Sequence, residues 1–294
     1  MKVIITGASG MIGSALIAAL QEQGHEVLQM SSSNQAQPNR IRWNTEEGIR
    51  DTFDPHGISA VIHLAGAGIA DKAWSQNRKE EILKSRVKAS EFLYDYFKKA
   101  SVFPDVYISA SGVGIYPTNT SEILSETSEH GSGFLSHVCI EWERSASLFK
   151  AHSSLYIMRL GVVLGEKGFV PAVSAPIKKY AGAVLGSGDQ IVPWIHKQDV
   201  VNFVIGALQK KWEPGTYNLV APSVKSLREI TVTLAQLLHK PLWLPPVPAF
   251  LLKIIIGERA AMVLDSQKVS SQKLLDQGFV FSYPQLKSAI QSVL

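Results

Sequence analysis

A chain of 294 residues, 46% hydrophobic and 18% charged, has room for one large α/β domain or a main domain with a smaller one, and ample core. Its net charge of +4 is spread in pairs such as Lys98-Lys99, Lys178-Lys179 and Lys210-Lys211, which read as solvated faces rather than a nucleic-acid patch. The single cysteine, Cys139, excludes an internal disulfide and a cysteine-based metal site and suits a reducing cytoplasm, and the most apolar late stretch, 249–256, is too short to span a membrane.

The opening stretch MKVIITGASGMIG organises the rest. Val3, Ile4 and Ile5 read as a buried parallel strand, followed at once by a turn containing Gly7, Ser9, Gly10, Met11, Ile12 and Gly13. A helix starts near Ile12, with apolar positions at Ala15, Leu16, Ala19 and Leu20, and stops at Gly24. Strand, glycine turn and helix in that order form a phosphate grip, because glycines allow close backbone approach and the helix start offers free N–H groups. A signal peptide is the rival reading of this segment. It fails because Gly7, Gly10 and Gly13 interrupt the apolar run and a βαβ rhythm follows without a break.

A second strand is expected over 26–30. The residue at its end selects the cofactor, an acid favouring NAD and a basic or small polar group admitting NADP. Here the chain reads Ser31-Ser32-Ser33, with no carboxylate before Glu46, so NADP(H) is favoured; the serines either hydrogen-bond its phosphate together with Arg40 or Arg42 or are plain loop residues. A short strand follows at 40–43, and a buried one at 60–66 ends in Leu64, Ala65 and Gly66, where backbone would pass beside the cofactor. A long helix is expected over 80–99. The next strand, from Val106, runs into the serine-rich exit Ser109-Ala110-Ser111-Gly112, the crevice side of an open parallel sheet. A helix over 134–149, a strand over 155–160 and a late strand over 216–220 complete the pattern. The expected fold is an α/β, doubly wound parallel sheet with a smaller C-terminal substrate-side subdomain, divided as residues 1–165 and 166–294.

Several blocks together resemble the atypical extended short-chain dehydrogenases of the epimerase family, labelled nucleoside-diphosphate-sugar epimerase-like. They are TGASGMIG, LAGAGIA, Trp74 with the KSRV segment containing Arg86, SASGVGIYP, FLSHVCIEWE, MRLGVVLG and VPWIHKQDV. The stretch from about 245 to 292 is similar to the short domain that ends those proteins. The resemblance implies a nicotinamide cofactor, and Arg86 joins the expected cofactor-binding residues.

The superfamily's Tyr-x-x-x-Lys pair, in which lysine lowers a tyrosine pKa of about 10, is absent from the expected helix. Aligning FLSHVCIEWE on its last glutamate puts Leu135 and Cys139 in those positions, and a shift by two puts Gly133 and His137 there. Tyr94 and Lys98 have the spacing but lie on the preceding helix, and are a chance match. The candidate catalytic groups are therefore Ser111, Tyr116, His137 and Cys139, each with a packing role as its alternative. Arg159 is placed to bind an anionic group, or else to pair with a neighbouring helix. Trp194 and His196 are expected on the substrate side, Trp194 with a core position as its alternative, and Asp199 is expected as a helix cap. The histidines show no metal-ligand spacing.

These readings predict an NADP(H)-binding oxidoreductase or epimerase-like protein for a small polar substrate, nucleotide-sugar-like ones among the candidates. The alternative is a non-catalytic NADP(H)-binding sensor. No nucleic-acid or membrane partner is expected; a homodimer is an open expectation.

Overall fold

The computed structural model describes residues 1–32, 39–44 and 46–294, so Ser33 lies outside the described residues. In chain order the elements are β1 (Lys2–Thr6), α1 (Met11–Glu22), β2 (Glu26–Ser31), β3 (Arg40–Asn44), β4 (Gly48–Ile49), β5 (Ile58–His63), α2 (Gln76–Lys99), β6 (Val106–Gly112), β7 (Ile123–Leu124), α3 (Phe134–Ala146), β8 (Ser154–Leu160) and β9 (Val162–Leu164). There follow α4 (Phe169–Lys178), β10 (Trp194–His196), α5 (Lys197–Leu208), β11 (Gly215–Leu219), α6 (Leu227–Leu237), α7 (Ala249–Ile256), α8 (Ala261–Leu264), β12 (Lys268–Val269), α9 (Gln272–Asp276) and α10 (Leu286–Gln291).

Eight strands form one sheet in the order β11-β8-β6-β5-β1-β2-β3-β4, parallel except where the short β4 runs against β3. The chain winds outward through β1, β2 and β3, then returns to place β5 on the other side of β1. That reversal opens a crevice at the carboxyl ends of β1 and β5, the usual ligand position in such sheets.

The period-2 alternation of the strands decides what each face buries. Val3, Ile5, Ala60, Ile62, Ile108 and Met158 pack with Leu16 of α1 and Val200, Phe203 and Val204 of α5. Ile4, Val61, Tyr107 and Ile157 point the other way, against Ala89, Leu93 and Phe97 of α2 and Phe149. Two residues further along each of these second-face rows the side chains turn polar, at Thr6, His63, Ser109 and Arg159, and Ser111 and Asn218 lie in register with Arg159. One face is therefore apolar at its amino half and carries polar chemistry at its carboxyl end.

A third cluster joins Ile177 of α4, Ile230 and Leu234 of α6, Ile290 of α10 and Trp194 in the C-terminal part of the chain. The pair β7–β12 ties a C-terminal segment to the loop beyond β6. Two expected boundaries move for local reasons. The fifth strand ends at His63 because the Leu64 and Ala65 N–H groups turn to the Thr6 hydroxyl, both at 3.0 Å, and α2 starts at Gln76 because the Ser75 hydroxyl caps the Arg78 N–H. Among the described residues no helix is long and apolar enough to cross a membrane.

Candidate cofactor and active site

The turn between β1 and α1 depends on its glycines for geometric reasons. Gly7 sits at φ +70°, and a Cβ there would stand 2.7 Å from the Leu64 carbonyl oxygen. A Cβ on Gly13 would stand 2.4 Å from the Gly7 carbonyl oxygen, so any side chain would push α1 off the turn. Gly10 differs: it is exposed, at φ −71°, and caps α1 with no side-chain hydrogen bond. Its own N–H is held by the Gly7 carbonyl at 3.0 Å, whereas the N–H groups of Met11, Ile12 and Gly13 have no acceptor among the described residues. An uncapped helix start above a glycine cradle fits a pyrophosphate in both shape and sign.

At the end of β2, Ser31 lies in register with Arg42 of β3, and Ser32 is exposed. Arg42 does not offer a spare cation there. Its guanidinium is engaged by Asp51 through Nε at 3.0 Å and Nη2 at 2.6 Å, a pairing that lowers the Asp51 carboxyl. Asp51 was not anticipated as its partner, since only three-dimensional pairing through β4 brings it close.

His63 is fully buried between two defined partners. The Thr6 hydroxyl, already accepting two backbone N–H groups, has its single hydrogen for His63 Nδ1 at 2.7 Å, so Nε2 carries the ring proton and donates to the Arg86 carbonyl at 3.0 Å. Burial pushes its pKa down to about 4. The side chain of Arg86 returns over Gly66: a Cβ on Gly66 would stand 2.7 Å from the guanidinium carbon.

Beyond β6 a buried charged network crosses three strands. Ser111 Oγ donates to Glu143 Oε1 of α3 at 2.7 Å, and Arg159 grips the same carboxylate through Nε at 2.8 Å and Nη2 at 2.9 Å. Arg159 Nη1 also donates to the Tyr116 hydroxyl at 2.8 Å, which in turn donates to Asn218 Oδ1 at 2.6 Å. Burial opposes the arginine's charge, but Glu143 and Tyr116 outweigh it and raise its pKa. Burial likewise raises Tyr116. Arg159 is thus paired with a neighbouring helix, the second of the two roles expected for it.

On α3 the side chains that meet the exit of β6 are Leu135, whose Cβ lies beside Gly114, and Cys139, whose sulfur lies beside Gly112. Burial first, and Glu143 second, push the Cys139 thiol up to about 11. His137 stands on the exposed side of the same helix, apart from Ser111 and Cys139.

The NAD-dependent epimerase/dehydratase family model matches residues 3–219. The chain belongs to that family. In this epimerase-family chain, residues 247–293 also match a domain of unknown function, DUF1731. It is 34% identical over 303 residues to the Arabidopsis thaliana chloroplastic homolog of epimerase family protein SDR39U1, covering 100% of this chain and 87% of that one. It is 32% identical over 300 residues to epimerase family protein YfhF of Bacillus subtilis, covering 100% and 98%. Among solved structures, human epimerase family protein SDR39U1 (isoform 2), crystallised with NADPH, superimposes with a TM-score of 0.89 at 30% identity, covering 100% and 99%.

In this epimerase-family chain Trp194 takes the core position that was its alternative, and the expected cap changes. Trp194 is buried among the C-terminal apolar residues, its indole N–H on the Ser223 carbonyl at 2.9 Å. His196, not Asp199, caps α5: its Nδ1 accepts the Gln198 N–H at 3.1 Å, and burial lowers its pKa to about 4. Asp199, one turn into the helix, instead accepts the Ser282 and Tyr283 N–H groups and anchors the C-terminal segment. A cavity of about 760 Å³ is lined by Asn119 from the loop beyond β6, by Ser187 and Gln190, and by Lys253, Glu258 and Asp265 of the C-terminal segment.

Glu143 and Asn218 were missed as site residues. Both left a signal. Glu143 follows Cys139 by four residues and so shares its helix face, and Asn218 is an amide between Tyr217 and Leu219 in the buried half of its strand.

Proposed function

We propose that this chain is an NADP(H)-binding oxidoreductase or epimerase-like protein that handles a small polar substrate at the carboxyl ends of β5 and β6. The observation that carries the reading is the glycine turn with its uncapped α1 start. The N–H groups of Met11, Ile12 and Gly13 would hold the pyrophosphate, Ser31 and Ser32 face the adenosine side, and Leu64 to Gly66 run beside the cofactor. The absence of a carboxylate at the end of β2 supports NADP(H) over NAD(H), and the NADPH in the human relative's crystal supports it independently. Bound there, the nicotinamide would donate or accept hydride. The cavity beside Asn119 and Lys253 supports a substrate position on the C-terminal side.

A second reading, a non-catalytic NADP(H)-binding sensor, is favoured by one specific observation. The hydroxyl hydrogens of Ser111 and Tyr116 are spent on Glu143 and Asn218, the buried Cys139 thiol holds its proton tightly, and His137 stands on the exposed side of α3. In that case none of the four candidates donates a proton to a carbonyl. A screen of carbonyl and hydroxyl compounds, followed by nicotinamide absorbance with all four cofactor forms, separates the readings. The enzyme reading expects hydride transfer with the phosphorylated cofactors; tight binding with no turnover across the screen favours the sensor.

A further inference from the structure

The short helix α7 presents its apolar side chains to solvent. At about 100° per residue, Phe250, Leu251, Ile254 and Ile255 fall within one arc of roughly 140°, and Phe250, Ile254 and Ile255 are 65%, 75% and 65% exposed. The helix meets the core through Leu252, outside that arc. An ordinary surface helix turns such an arc inward. Trp243, just upstream, is exposed as well, although its indole N–H is held by the Tyr180 carbonyl at 3.0 Å.

The charge around this face has one sign. Between Glu229 and Glu258 the chain holds no carboxylate, only Lys240 and Lys253, and between Glu166 and Asp189 it holds only Lys167, Lys178 and Lys179. The fold lays these two segments side by side: the Val247 N–H donates to the Val184 carbonyl at 2.8 Å, the Gly186 N–H donates to the Val247 carbonyl at 2.9 Å, and Lys240 Nζ stands 4.0 Å from the Tyr180 ring centroid. Lys178, Lys179 and Lys253 are exposed, and Glu258, at the border of the face, is taken by Lys79 at 2.6 Å.

A second copy of the chain suits this face poorly, because a two-fold interface puts the same patch on both sides and would set lysine against lysine. A bilayer with anionic headgroups satisfies both features. The acyl-chain boundary takes the apolar arc, and the headgroups take the lysines, whose stems let the ammonium groups reach outward. Trp243 has the amphipathic ring that settles at headgroup depth. Eight residues are too few to cross a membrane, but a helix lying in the interface needs no spanning length.

We propose that α7, with Trp243 and the flanking lysines, docks this chain on the surface of an anionic phospholipid bilayer. The expected absence of a membrane partner rests on spanning length, which this peripheral contact does not use. It is also independent of the cofactor reading.

The test is sedimentation of the full chain with vesicles of phosphatidylcholine and phosphatidylglycerol in equal parts, and with vesicles of phosphatidylcholine alone. Wild type is compared with Phe250→Ser/Ile254→Ser and with Lys178→Gln/Lys179→Gln, which change only exposed side chains, and the melting temperature of each checks its fold. Wild type is expected to partition onto the mixed vesicles about tenfold or more strongly than onto phosphatidylcholine. Each double variant is expected to lose about tenfold or more of that partitioning, the first through the apolar arc and the second through the headgroup attraction. No partitioning of wild type onto the mixed vesicles would overturn the proposal and leave the face to a protein partner. Undiminished partitioning by either folded variant would overturn it as well. So would a wild type that is dimeric in solution and becomes monomeric as Phe250→Ser/Ile254→Ser, since α7 would then be an interface between copies.

Discussion

His63 is neutral in the folded chain because its ring has one acceptor and one donor role, both filled, and no water to solvate a charge. Its folded pKa of about 4 lies below the ordinary histidine value near 6.5, so between those two values the unfolded chain binds more protons. Stability contributed by keeping the ring neutral is therefore complete above about pH 6.5 and is lost as pH falls toward 4, by up to about 3 kcal/mol. Urea denaturation of His63→Gln, which keeps the donor and acceptor but cannot charge, should show a shallower loss of stability from pH 7 to 5 than wild type. Equal slopes would contradict this account. Glu143 makes the complementary case. Its removal as Glu143→Ala leaves Arg159, 5% exposed, as an uncompensated buried charge, for which a loss of about 3–5 kcal/mol is expected. A loss under about 1 kcal/mol, the size of a surface pair, would mean that the network contributes little.

At the scale of elements, what was legible depended on whether the determining contacts are local. The stripe Ala15, Leu16, Ala19, Leu20 and the strand run Val3 to Ile5 carry their structure in their own spacing, and α1 and β1 formed where expected. The cap of α5 did not: Asp199 has the usual N-cap chemistry, but His196 fills that role, and only the folded C-terminal segment supplies the N–H groups that claim Asp199. Arg42 shows the same limit, because Asp51 reaches it through the turn into β4. Where a cap is purely local it should also behave locally. Ser226 and Glu229 form a reciprocal capping box at the start of α6, and Ser226→Ala should cost about 1 kcal/mol in thermal or urea unfolding. An unchanged midpoint would show that α6 is held by packing of Ile230 and Leu234 alone.

For the molecule as a whole, the doubly wound sheet was legible because alternating strands and helices admit few topologies, and right-handed crossovers prune them further. The site was legible only in part. The glycine turn and the exit of β5 announced themselves through residues that need no partner to be understood. The Ser111–Glu143–Arg159–Tyr116–Asn218 network assembles from β6, α3, β8, the loop beyond β6 and β11, residues up to 107 positions apart in the chain, so no window of sequence contains it.

The measurement that reaches the central claim most directly is an NADPH titration of wild type and Gly10→Asp, with the melting temperature of each ligand-free protein. Gly10 is exposed and caps α1 with no side-chain bond, and a Cβ there would stand 3.2 Å from the Gly7 carbonyl oxygen, so an aspartate sets a cap gain of a few tenths of a kcal/mol against that close contact while placing a carboxylate where the pyrophosphate would sit. The account predicts saturable binding by wild type, its loss in Gly10→Asp, and a melting temperature for the ligand-free variant within a few degrees of wild type. No binding by wild type, or undiminished binding by the variant, would contradict it.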